Sequence, residues 1–246
     1  MTNLSSFCRL LVTWVFLSSC FSVVWGREPK WEQQLIEVID IPTADVVDHY
    51  GYFVSFRFGS EGALQNKTSF GVFPRFNIGF GLDGERVLGT RDARMNKPTI
   101  NIKFRLFHGK GVLPAIAMGF DDQGYVYNKT LNEYEQREKG FYLVSTSEII
   151  YPGFLLHLGG NIFDFDDGDS TRGFFGISYI YERTVGFLFE WDHATDYDER
   201  RINFGLKYYV TPLFTVDAIG RNIPERPGST ARETERIVKL NYSGSF

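Results

Sequence analysis

Seven basic residues, Arg57, Arg75, Lys103, Arg105, Arg201, Lys207 and Lys239, each sit beside large apolar residues, as in F-R-F, I-K-F-R-L, L-K-Y and V-K-L. In an extended chain, neighbouring side chains point to opposite faces. The cations then share one face and the aromatic and aliphatic residues the other. Acids on the cationic face are fewer. They are Glu190 and Asp217, with Asp83 and Asp121 near the ends of their runs. Cations gathered in a confined space attract anions and steer them inward. The expected chemistry is binding or passage of an anionic solute or acidic polysaccharide. A second reading stays open: the same residues form a network with Glu190 and Asp217 that fills and closes the space.

Other chemistry is poorly supplied. Of the four histidines, His49, His108, His157 and His193, only His157 stands mid-run on the polar face. Ser145, Ser147 and Ser178 are expected in the same compartment, which leaves a Ser–His pair open. The sequence has no G-x-S-x-G and no H-E-x-x-H, and the expectation is a protein without enzymatic activity. Two stretches are acidic, one with Asp164, Asp166, Asp167 and Asp169, the other with Asp192, Asp196, Asp198 and Glu199. F-D-F-D-D-G-D-S has the oxygen ligands and glycine of a calcium loop but lacks its twelfth-position Glu. It reads as a solvated loop, bridged by divalent ions to lipopolysaccharide. No metal site and no cofactor are expected. The net charge of −4 becomes −5 without Arg9 and argues against nucleic acid as a partner.

The elements that carry these residues are strands with a period of two. Tyr52, Val54, Phe56 and Phe58 oppose Ser55 and Arg57. Phe70, Val72, Phe76, Ile78, Phe80 and Leu82 share one parity across a turn at Phe73-Pro74-Arg75, because proline does not belong in a central strand. Further runs follow at Thr99–Leu106, Val112–Phe120, Phe141–Ile149, Phe154–Asn161, Phe174–Tyr181, Val185–Trp191, Arg201–Tyr209 and Leu213–Ile219. In Phe141–Ile149, Phe141 and Leu143 break the expected alternation. The last run is E-R-I-V-K-L-N-Y-S-G-S-F, with Val238, Leu240, Tyr242 and Phe246 on one face. That makes twelve strands of bilayer-spanning length.

Short turns are expected at Phe73–Arg75, His108–Gly111, Ile150–Gly153, Glu182–Thr184 and Thr211–Pro212. Longer loops are expected at 60–67, 84–97, 122–139, 163–172, 192–200 and 221–234. Strict alternation of short and long connections suits an all-β, transmembrane, antiparallel up-and-down β-barrel with short periplasmic turns and longer outer loops. The aromatic content of 17% fits a lipid-facing surface. Tyr52, Tyr142, Tyr181, Trp191, Tyr208 and Tyr242 are placed at an interfacial girdle. A soluble secreted β-sandwich is the alternative fold.

Residues 1–26 have the plan of a secretory signal peptide: Arg9, an apolar run from Leu10 to Leu17, then small residues. Cleavage after Gly26 and lipoprotein cleavage at Cys20 both remain open. Cys8 and Cys20 fall in this leader, so the mature chain is expected to be cysteine-free. Residues 27–49 read as a periplasmic extension or a short plug, with a short helix over 31–38 broken at Pro42. Residues 50–246 form the barrel.

A final strand ending in Phe is similar to the C-terminal assembly signal of bacterial outer-membrane β-barrel proteins. Two further stretches, Ile41-Pro42-Thr43-Ala44 and Pro114-Ala-Ile-Ala-Met-Gly-Phe-Asp-Asp-Gln-Gly124 with Tyr142-Leu-Val-Ser-Thr-Ser147, resemble the YjbH-like outer-membrane family tied to exopolysaccharide production. The resemblance implies a cell outer-membrane location and a role in surface polysaccharide export or assembly. It also implies lipid, lipopolysaccharide and the barrel-assembly machinery as partners. It implies no catalytic residues.

Overall fold

The computed structural model describes residues 34–246 except 91, 111–112, 129, 131–132, 137–138, 166–169, 196–199 and 224–233. The leader therefore lies outside the described residues, as do Asp166, Asp167, Asp169, Asp196, Asp198 and Glu199.

The strands, in chain order, are β1 (Gly51–Phe58), β2 (Leu64–Phe73), β3 (Phe76–Glu85), β4 (Arg94–Met95), β5 (Thr99–Lys110), β6 (Leu113–Asp121), β7 (Tyr125–Asn128) and β8 (Glu133–Gln136). There follow β9 (Gly140–Glu148), β10 (Phe154–Ile162), β11 (Thr171–Tyr181), β12 (Val185–Asp192), β13 (Arg201–Thr211), β14 (Phe214–Ile223) and β15 (Glu235–Ser245). β7 and β8 form a separate hairpin, and β4 is a two-residue flank on β3. The other twelve strands pair antiparallel with their neighbours, and the sheet closes where β15 meets β1. The register of that seam runs from Gly51 opposite Ser245 to Phe58 opposite Val238. Among the described residues closure leaves no open edge in the barrel, so each of these twelve strands is paired on both sides. A two-sheet sandwich is excluded by this topology.

The two surfaces invert the usual soluble arrangement. Outward residues are large and apolar: Phe187 is 53% exposed and Leu206 52%. Inward residues are polar and buried, among them Ser55, Asn77, Asn161, Asn203 and Asn241. The Tyr52, Tyr242 and Phe246 rings gather at one rim, with centroids of Tyr52 and Phe246 5.2 Å apart.

Several expectations need correction. The 60–67 loop is shorter, because β2 begins at Leu64 and places Gln65 and Lys67 on the lumen face; their polarity marks a wet interior, not a loop. β5 runs to Lys110 through a bulge between Arg105 and Phe107, where a turn was expected from His108. β14 runs on to Ile223, which moves Arg221 from the loop into the wall. β9 has the opposite parity to that expected. Tyr142 and Val144 are buried inward, while Phe141 and Leu143 face out with Ser145 and Ser147, the latter pair opposite Leu158 and Leu156. Tyr142 fits inside because its neighbour across the sheet is Gly119, where a Cβ would lie 2.4 Å from the tyrosine oxygen. Tyr142 therefore belongs to the lumen and not to the girdle.

Candidate functional site: the plugged lumen

Residues 34–47 lie inside the barrel, Asp48 is exposed where the chain turns into β1, and no helix forms over 34–38. The segment enters beside Phe53, Lys207 and Tyr209, makes a tight turn at its tip, and returns to begin β1. The entry lies at the end with the short turns, since β13 reaches Tyr209 just before its turn into β14. At the tip, Glu37 bridges Pro42, and the Val38 N–H donates to the Ile41 carbonyl at 2.9 Å.

Apolar burial brings the tip into place. Val38, Ile39, Ile41 and Ala44 pack with Val144, Phe174, Leu188, Ile219 and Ile237 from the wall in one core cluster. The Ile41 side chain fits against Gly176, where a Cβ would come within 2.6 Å of its Cδ1. Burying each such aliphatic side chain contributes about 1.5–3 kcal/mol.

Polar contacts fix the orientation. Glu190, fully buried on β12, accepts the backbone N–H of Ile39 at 3.0 Å, of Asp40 at 2.9 Å and of Ile41 at 3.1 Å. Asn203 donates its side-chain amide to the same carboxylate. Successive N–H groups converging on one point form an anion-binding concavity. Here the anion comes from the barrel wall.

Asp40 then reaches two cations and a phenol. Arg57 Nη1 donates to Oδ1 at 2.6 Å, Arg221 Nε donates to Oδ2, and the Tyr125 hydroxyl donates to Oδ1 at 2.8 Å. Both guanidiniums lie over the Tyr125 ring, at 4.3 Å for Arg57 and 4.0 Å for Arg221. Tyr125 belongs to the β7–β8 hairpin, which thus caps the tip from the loop side. Burial alone would raise the Asp40 pKa; the Arg221 and Arg57 charges outweigh it and hold the carboxyl well below its ordinary value. Glu37 contacts Lys239 and, at 3.3 Å, Lys67. Burial again opposes ionisation, but Lys239 and Lys67 lower Glu37 from 4.5 to about 2.

The sequence-derived cations can now be placed. Arg57 and Lys239 meet Asp40 and Glu37. Lys103 donates to the carbonyls of Ile36, Thr43 and Asp45 at 2.7–3.2 Å. Arg105 donates to the Ala44 carbonyl and pairs with Asp45 at 2.8 Å. Lys207 pairs with Asp217 at 2.8 Å within the wall. Arg201 is buried at the inward start of β13. Arg75 is a correction: it sits exposed in the β2–β3 turn at φ 74° and does not line the lumen. Val238, Leu240 and Tyr242 face outward on β15, and Phe246 is exposed at the rim.

Strand parity missed several partners. Lys67 pairs with Asp121, and Lys139 with Asp192 at 2.5 Å. Arg221 and Asp192 continue the inward parity of Asp217 and Glu190, and counting on by two would have found them. Glu37, Asp40 and Asp45 had no such signal, because their segment has no period.

His157 is fully buried, with Nδ1 3.0 Å from the Thr146 hydroxyl and Nε2 3.0 Å from that of Ser178. Thr146 also accepts the Ala44 N–H at 2.9 Å. Ser145 and Ser147 face the opposite side. Thr146 thus ties the segment to β9, and His157 on β10 links Thr146 to Ser178 on β11.

No protein-family model matches the sequence, and a comparison with curated proteins finds no match. Solved structures with a similar chain course include an outer membrane channel from Pseudomonas putida F1, at 10% identity and TM-score 0.41, covering 89% of this chain and 100% of that one. Pseudomonas putida OprB at high pH shows 12% identity and TM-score 0.32, covering 74% of this chain and 59% of that one. The outer membrane channel DcaP of Acinetobacter baumannii shows 8% identity and TM-score 0.29, covering 79% and 96%.

Proposed function

We propose that this chain is an integral outer-membrane barrel whose lumen is closed at rest by its own residues 34–47. Anionic solutes or surface polysaccharide pass only when that segment withdraws. The apolar outer face supports the membrane location, because in water it would form a patch far above what a monomer tolerates. The single observation that carries closure is the Glu190 carboxylate gripping three consecutive amides of the tip. Passage of anions is supported by what withdrawal would uncover. Arg57, Lys67, Lys103, Arg105, Arg221 and Lys239 would lose partners in the segment or gain access to water, and Glu37, Asp40 and Asp45 would leave with it. The polysaccharide role rests on the short YjbH-like stretches alone. Lipid, lipopolysaccharide and the barrel-assembly machinery are the partners of this reading, the leader at 1–26 is its route to the membrane, and catalysis has no part in it.

Planar-bilayer recording tests the proposal. The full barrel is expected to pass no steady current at neutral pH, and a variant lacking residues 34–45 to pass an anion-selective one. A steady current through the full barrel would overturn closure. A silent or cation-selective deletion variant would overturn anion passage. Closure also has a pH signature. Glu37 and Asp40 have depressed pKa values when docked, so their contribution is complete above their ordinary values and is lost as pH falls below them, the Glu37 part between about 4.5 and about 2.

A further inference from the structure

Asp40 occupies a site with more donors than it uses. Besides Arg57 Nη1, Arg221 Nε and the Tyr125 hydroxyl, two buried donors nearby have no acceptor among the described residues: Nη2 of Arg221 and Nε2 of Gln123. Gln123, Tyr125, Arg57 and Asp40 line one cavity between the tip and the β7–β8 hairpin. A single carboxylate accepts about four hydrogen bonds and does not saturate these five donors. A larger anion with hydroxyls beside its carboxylate would.

We infer that the Arg57–Arg221–Tyr125 cradle is a carboxylate-binding site of the lumen, filled in the closed barrel by Asp40 as an internal stand-in for a hydroxylated carboxylate such as a uronate. Two guanidiniums fix the carboxylate by charge-assisted bonds. The tyrosine ring under both of them holds their planes and offers its hydroxyl to the oxygen that Arg57 binds. Glu190, another anchor of the tip, binds backbone amides and not this cradle. Ligand and tip therefore compete through Asp40 alone. The inference rests on the closed-barrel reading and supplies its ligand class. A uronate arriving from the loop side would displace Asp40 and weaken the hold on the tip.

The test uses the full chain reconstituted in detergent, with glucuronate as probe and glucose as its neutral control, read by calorimetry. Asp40→Ala vacates the cradle and leaves Glu190 in place. It is expected to bind glucuronate about tenfold or more tightly than the unaltered chain, the scale of one hydrogen bond to a charged group, and to ignore glucose. Adding Arg57→Gln to Asp40→Ala is expected to abolish that gain. Equal glucuronate affinity in Asp40→Ala and the unaltered chain, or equal affinity for glucose, would overturn the assignment. If Asp40→Ala does not fold, its refolding is followed in acetate and in chloride at equal ionic strength. Recovery in acetate alone is expected, and no difference between the salts would overturn the site. A conducting full-length barrel would end the closure reading and leave this binding comparison standing.

Discussion

Replacing Glu190 with Leu is expected to release the tip and produce an intermittent current in a barrel that is otherwise silent. The magnitudes decide this outcome. With the tip still docked, the N–H groups of Ile39, Asp40 and Ile41 and the Asn203 amide would be buried without their acceptor. Each such group costs about 1–3 kcal/mol, so for these four groups staying docked costs roughly 4–12 kcal/mol in all. Leaving exposes Val38, Ile39 and Ile41, at about 1.5–3 kcal/mol each, and forfeits the Asp40 pairs. In exchange, water satisfies every freed amide. The two costs are of the same order, so the tip should exchange between states and the current should flicker. Glu190→Gln keeps one acceptor oxygen and should leave the barrel closed for most of the time. Single-channel recording of the two variants measures the difference, and identical silence in both would place the anchor elsewhere.

Deleting Tyr242–Phe246 is expected to abolish assembly. Tyr242, Ser243, Gly244 and Ser245 pair with Val54, Phe53, Tyr52 and Gly51, and the Phe246 N–H donates to the Tyr50 carbonyl at 2.9 Å. Tyr242 also pairs with Phe214 on the other side. Without these residues the seam opens over half of β1. Each backbone group then facing hydrocarbon costs several kcal/mol, which exceeds the usual total stability of about 5–15 kcal/mol within a few residues. The truncated chain should be absent from the membrane and degraded. Normal insertion would mean that the sheet closes at another seam.

Strand parity carried most of the wall. Phe56 against Arg57, Ile102 against Lys103 and Leu206 against Lys207 each reveal two solvents in two residues. It failed where loops were bounded by composition. Lys67 and Arg221 are polar residues on strand ends, and polarity alone sent them to loops. Phe141–Ser147 failed for another reason. Whether Tyr142 or Phe141 faces in depends on Gly119 across the sheet, and a single strand does not contain that fact. The acids of the plug were the least visible. Asp40 acquires its role from Arg57, Arg221 and Tyr125, which come from β1, β14 and an outer hairpin. Only the closed barrel brings these together.

The fractionation of the full chain tests the central claim, that the apolar outer face of this barrel lies in lipid. The protein should sediment with the outer membrane, resist extraction by alkaline carbonate, and run faster on a gel when unboiled than when boiled. Recovery in the soluble fraction, with the same mobility before and after boiling, would contradict the account.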